Sequence, residues 1–215
     1  FIAPVKLRNL WILLVSLFFY GWGEPVYVFL MVFTVLFDYV CGYYVGKYRE
    51  THHKRAKTIL ILSVIVNLGL LGFFKYFDFF AENLSRIPFI NIPTLGLTLP
   101  IGISFYTFQV LTYTVDVYRG KVPVQKSYGR LLLYVSFFPQ LIAGPIVRYQ
   151  TVAEEIQNRR ENLTDFVKGT RRFTVGLAKK MILSNSIGLL ADQAFNCPAP
   201  SDLSVSMAWL GALAY

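Results

Sequence analysis

The chain is 215 residues long, 55% hydrophobic and 17% aromatic, with a formal net charge of +9 and a mean hydropathy of +0.49. Its apolar residues gather in blocks of membrane-spanning length, not in the spaced stripes of a soluble domain, which excludes an ordinary globular enzyme and a disordered chain. At ~20 residues per span there is room for about five or six crossings in a single membrane domain, 1–215, with no soluble second domain.

Residues 10–22 and 26–46 are apolar runs parted only by Gly23, Glu24 and Pro25, a link short enough to predict a helical hairpin. The basic loop Lys47 to Lys57 leads to a third span at 58–80, and a sparsely charged, Pro-containing loop from Ala81 to Thr94 leads to a fourth at 97–117. After a second basic loop, Arg119 to Arg130, comes FFPQLIAGPIVRY, Phe137 to Tyr149, an apolar run interrupted by Pro139, Gly144 and Pro145. The span at 131–149 is therefore expected as a broken or re-entrant helix, since non-helical backbone at that depth must be buried in protein or line a cavity.

Thr151 to Asn162 is polar and reads as an exposed connection. Leu163 to Phe195 mixes apolar residues with Lys168, Arg171, Arg172, Lys179 and Lys180, the composition of a basic interfacial helix that enters the membrane over 176–195. The run MAWLGALAY, 207–215, starts a further span but is too short to cross alone. Because the chain opens at Phe1 without methionine and stops inside that run, a fragment incomplete at both ends is expected. The fold class is all-α, a polytopic transmembrane helix bundle.

Charge placement sets the orientation. Lys6, Arg8, Lys47, Arg49, Lys54, Arg55, Lys57, Arg119, Lys121, Lys126 and Arg130 collect at one end of the first four spans, against Arg86 at the other. The positive-inside rule puts the basic loops in the cytoplasm. Membrane lipid accounts for these charges, no nucleic-acid partner is expected, and a cationic cytoplasmic face favours a polyanionic small molecule.

Several side chains are candidates for chemistry. Asp38 lies deep in the second span, where a carboxylate must face protein, find a partner or carry a proton. With straight helices it is about 18 Å below the outer boundary, level with Gln109 of the fourth span, and Lys75 is shallower. A polar contact from Asp38 to the fourth helix near Gln109 is expected, and no salt bridge to Lys75. Gln109, Thr112, Asp116 and Arg119 fall within roughly 80° of one helical face, which suits interhelical hydrogen bonds or a substrate path.

His52 and His53 stand in the basic loop without a carboxylate to orient them, a poor setting for a general base. Cys41 and Cys197 give neither a disulfide framework nor a metal spacing. No HExxH, CxxC, P-loop or GxSxG pattern occurs, so no catalytic residue and no metal ligand is assigned. The sequons at Asn83 and Asn162 are short enough to arise by chance.

Three blocks invite a family comparison: LPIGISFYTFQVLTYTVDVYRG (Leu99 to Gly120), FFPQLIAGPIVRY, and GLAKKMILSNSIGLLADQAF (Gly176 to Phe195). Together they resemble the membrane-bound O-acyltransferase family, in its bacterial polysaccharide branch that acetylates alginate. The resemblance implies an enzyme of the bacterial inner membrane that takes acetyl from a cytoplasmic donor, acetyl-CoA, and passes it to an exported polysaccharide, directly or through an extracytoplasmic acetyltransferase partner. No cofactor is implied as permanently bound. The family histidine would fall beyond Tyr215, so the fragment alone is expected to be inactive. Gln140 and Arg148 are the candidate tunnel or donor contacts beside Gln109 and Asp116, or they only satisfy broken backbone and lipid phosphate.

Two other readings stay open on the residues alone. A secondary transporter also uses discontinuous helices, although only one interrupted segment is visible. A non-catalytic membrane scaffold of a polysaccharide export system is the other.

Overall fold

The computed structural model describes residues 7–87, 92–141, 144, 146–158, 162–197 and 203–215, and all regular structure among them is helical. The chain divides into two compact units, Phe1–Arg159 and Arg160–Tyr215.

In the first unit, α1 (Arg8–Gly23) and α2 (Tyr27–Tyr48) form the expected hairpin, broken by Pro25, and α3 (His53–Leu84) runs back beside α2. Helix α4 (Ile103–Tyr118) is the centre of the unit, buried on nearly all sides and packed on α2, α3 and α5. A connection then leads to α5 (Tyr128–Ser136), the single turn α6 (Phe138–Leu141) and α7 (Tyr149–Asn158). Only α2 and α3, of the described helices, are long and apolar enough to cross a membrane by themselves. At 16 residues each, α1 and α4 rise about 24 Å, short of a ~30 Å hydrocarbon core.

The fourth helix begins at Ile103, later than the expected Leu97, because Pro100 and Gly102 stop helix from forming there. Gly102 has φ +78°, a left-handed conformation that favours glycine, and a Cβ on it would sit 2.9 Å from the Leu141 carbonyl oxygen. Residues 95–101 form an extended strap across the helix ends. Asp78 accepts from the Leu95 and Leu97 amides (2.8 and 3.1 Å), Glu24 accepts from Ile101 N–H (3.3 Å), and Tyr20 and Tyr27 donate to the carbonyls of Ile101 and Thr98 (2.9 and 3.2 Å).

The basic loops meet at the opposite end. Arg49 donates to the Val117 carbonyl (3.3 Å), Tyr39 donates to the Lys126 carbonyl (2.9 Å), and His53 Nε2 lies 2.9 Å from the Tyr118 hydroxyl. The flanks between the two ends are apolar and open, with Phe18 68%, Phe29 74% and Phe33 61% exposed. A soluble protein would not leave a surface like this in water; lipid covers it without cost.

In the second unit, α8 (Leu163–Ala178) passes through a π-helical turn at Lys179–Ser184 into α9 (Asn185–Phe195), and α10 (Val205–Ala214) packs on α9. Asn162, read from sequence only as part of a sequon, is the N-cap of α8: its Oδ1 accepts from Asp165 N–H at 2.7 Å.

Candidate functional site: a re-entrant break beside a small cavity

Helix α5 stops at Ser136 because Pro139 lacks the N–H that would continue it, and Phe137 turns extended (φ −56°, ψ 111°). Gln140 and Leu141 then both donate to the Phe137 carbonyl (3.1 Å each), closing α6. In an unbroken helix the Tyr134 carbonyl would accept from Phe138 N–H. Here Phe138 N–H points to Ser16 Oγ on α1 (3.4 Å), and the Gln140 side-chain amide takes its place on Tyr134, at 2.5 Å.

The return limb is tied to the same residue, since the Tyr134 hydroxyl donates to the Val147 carbonyl at 2.6 Å. Gly144 is needed by close approach: a Cβ there would lie 2.5 Å from Gln140 Cα. Below the break, Tyr149 stacks edge-on against both Tyr113 and Tyr134 (centroids 5.1 and 5.3 Å apart), and Gln125 bonds the Tyr149 hydroxyl at 2.5 Å.

These contacts define a re-entrant path. Tyr149 and Gln125 meet level with Tyr113, toward the basic end of α4, while Leu141 reaches Gly102 at the other end. Tyr113 and Gly102 are about 16 Å apart along the helix axis, so the segment penetrates most of α4's length and returns to the side it left. Ile142, Ala143 and Pro145 lie outside the described residues.

Beside the break is a cavity of about 360 Å³ between α1, α5, α6 and α7, lined by Ile12, Leu133, Tyr134, Gln140, Glu155 and Ile156 among others. The wall is mostly apolar, with the Gln140 amide, the Tyr134 phenol and the Glu155 carboxylate as its polar points. That suits a small, weakly polar group in a half-open pocket. Glu155 was not foreseen, because α7 reads as a plain polar connection.

The other candidates are dispersed. Arg148 is exposed and does not line the cavity. Gln109 and Asp116 are buried on α4, 2% and 6% exposed, and Gln109 Oε1 has no hydrogen-bond partner among the described residues. Asp38 is fully buried and accepts from Ser63 Oγ, from Asn67 Nδ2 (2.6 Å) and from Thr114 Oγ1 (3.5 Å). Its contact on the fourth helix is thus Thr114, not Gln109, and Lys75 lies out by the Tyr76 ring. Ser63 and Asn67 stand four apart on α3, a polar pair inside an apolar span that could have been read as the missing partner. No group of three or more metal-ligating side chains occurs among the described residues.

Taken together, the first unit is an all-α membrane protein built around one re-entrant helix, a cavity at its wall and a buried polar cluster joining three helices. Its sequence is 36% identical, over all of this chain, to the probable alginate O-acetylase of Azotobacter vinelandii, of which it covers 43%. It is 34% identical over 96% of its length to the peptidoglycan O-acetyltransferase of Helicobacter pylori, covering 44% of that protein. A shorter match, 29% identical over 48% of the chain, is to the teichoic acid D-alanyltransferase of Bacillus subtilis. No protein-family model matches the chain, and no solved structure does. With these relatives the chain belongs to the membrane-bound O-acyltransferase family. It spans less than half the length of the curated relatives it matches.

Proposed function

We propose that this chain forms part of a multi-pass O-acetyltransferase of the bacterial inner membrane, which moves acetyl groups from cytoplasmic acetyl-CoA toward an exported polysaccharide such as alginate. The observation that carries the reading is the cavity walled by Gln140 and Tyr134 at a re-entrant break, in a chain similar along its whole length to a probable alginate O-acetylase. The basic end, with Lys47, Arg49, Lys121 and Lys126, attracts the phosphates of coenzyme A. The apolar wall limits water around the acyl group as it passes.

In the transfer, the acyl carbon–sulfur bond breaks, a carbon–oxygen bond forms to a sugar hydroxyl, and the thiol of coenzyme A leaves with the hydroxyl proton. This chain's residues bind and shield. The family histidine is assigned to the part of the protein outside this chain, and an extracytoplasmic acetyltransferase partner completes delivery to the polymer. The test is complementation with the complete protein in a strain lacking its own O-acetylase. O-acetyl groups should reappear on the isolated polymer, and a polymer that stays unacetylated while the protein is present in the membrane would refute the reading.

A further inference from the structure

Helix α8 buries none of its residues within its own unit. Its apolar side chains other than Val175, among them Phe166, Val167, Phe173 and Leu177, fall with Thr170 and Thr174 in one sector roughly 140° wide. The remaining sector carries Lys168, Arg171 and Arg172, continued by Lys179 at the start of the π-helical turn, and among the described residues of α8 it is opposed by Asp165 alone, 4.0 Å from Lys168. An open hollow of about 470 Å³ lies over this basic sector, lined by Lys168, Arg171, Arg172, Val175, Gly176 and Lys179.

We propose that α8 is a binding site for anionic phospholipid: the apolar sector lies in the boundary between headgroups and acyl chains, and the basic hollow takes the phosphodiester of a lipid headgroup. The charge pattern selects this occupant. A covering protein surface would have to neutralise these cations or leave them stranded, whereas anionic lipid answers both sectors at once, with long Lys and Arg stems reaching up to the phosphates. The π-helical turn at Lys179–Ser184 follows at the point where the sequence turns from basic to apolar. The proposal rests on the membrane reading and is independent of acyl transfer.

The test uses the complete protein in bilayers, with Cys197→Ser and a bimane label on Phe173→Cys. Quenching by brominated phosphatidylglycerol is compared with quenching by brominated phosphatidylcholine, giving a relative binding constant. The expected result is strong quenching by both lipids, with a preference for the anionic one that falls about five-fold for each of Lys168→Gln, Arg172→Gln and Lys179→Gln. The charge-retaining Lys168→Arg keeps the preference and controls for misfolding. Absence of quenching by either lipid would mean that protein covers the helix and would overturn the proposal. Equal quenching by both lipids, unchanged in the Gln variants, would also overturn it. So would loss of the anionic preference on adding coenzyme A alone, which would assign the hollow to a free phosphate ligand.

Discussion

Gln140 donates its side-chain amide to the main-chain carbonyl of Tyr134, six residues earlier, and thereby replaces the helical hydrogen bond that the break at Phe137 removes. The same tyrosine holds Val147 across the break through its hydroxyl. Gln140 is therefore also the fastener of the cavity wall.

This dual position makes the order of Gln140 variants informative. Gln140→Leu leaves the Tyr134 carbonyl without its donor and should cost about 1–3 kcal/mol of stability. Gln140→Glu sets a carboxylate against that carbonyl and should cost more. Unfolding midpoints of the complete protein in detergent should rank wild type above Leu above Glu; equal midpoints would leave Gln140 with no structural part.

Gly144→Ala and Gly102→Ala should each destabilise the re-entrant segment. The first drives a methyl to within 2.5 Å of Gln140 Cα, and the second combines a left-handed backbone with a contact of 2.9 Å to the Leu141 carbonyl. About 1–3 kcal/mol is expected for each. Limited proteolysis should show earlier cleavage within 137–149 than in Gly72→Ala, where a Cβ meets nothing.

At Asp38 the expected contrast is between two substitutions. Asp38→Ala strands the donors of Ser63 and Asn67, while Thr114 keeps the Val110 carbonyl (3.2 Å), and should cost about 2–4 kcal/mol. Asp38→Asn should cost less, because its Oδ1 still accepts from Ser63 and the Asn67 amide can turn over to present its unpartnered Oδ1 to the new amide, giving up its 2.9 Å bond to the Ser63 carbonyl. Thermal unfolding of the two variants checks this, and equal losses would contradict it.

Orientation is open to labelling. Single cysteines at Glu50 and Lys121 should react with an impermeant maleimide only after the membrane is opened, while one at Thr98 should react in intact, outer-membrane-permeabilised cells. The reverse pattern would invert the topology.

Much of this architecture was legible. Pro25 and the two flanking apolar runs announced the first hairpin, and Pro139, Gly144 and Pro145 announced the break. At Asp38 the expected polar contact to the fourth helix is present, but it falls on Thr114 because Pro100 and Gly102 hold residues 97–102 as a strap across the helix ends and not as helix. Counted from Gly102, twelve residues (114 − 102) lead to Thr114, just as twelve (38 − 26) lead from Val26 to Asp38, and these two side chains do meet. The role of Tyr134 was not legible, because a tyrosine in an apolar run gives no sign of which carbonyls its hydroxyl will reach.

The central claim is that the cavity beside the re-entrant break carries the acyl group, and filling it is the most direct test. Val152→Trp, placed in the complete protein, puts an indole into the space that Gln140 and Tyr134 wall. Polymer O-acetylation should fall at least ten-fold while the amount of protein in the membrane and its unfolding midpoint stay near wild type. Acetylation at the wild-type level with the cavity filled would contradict the account.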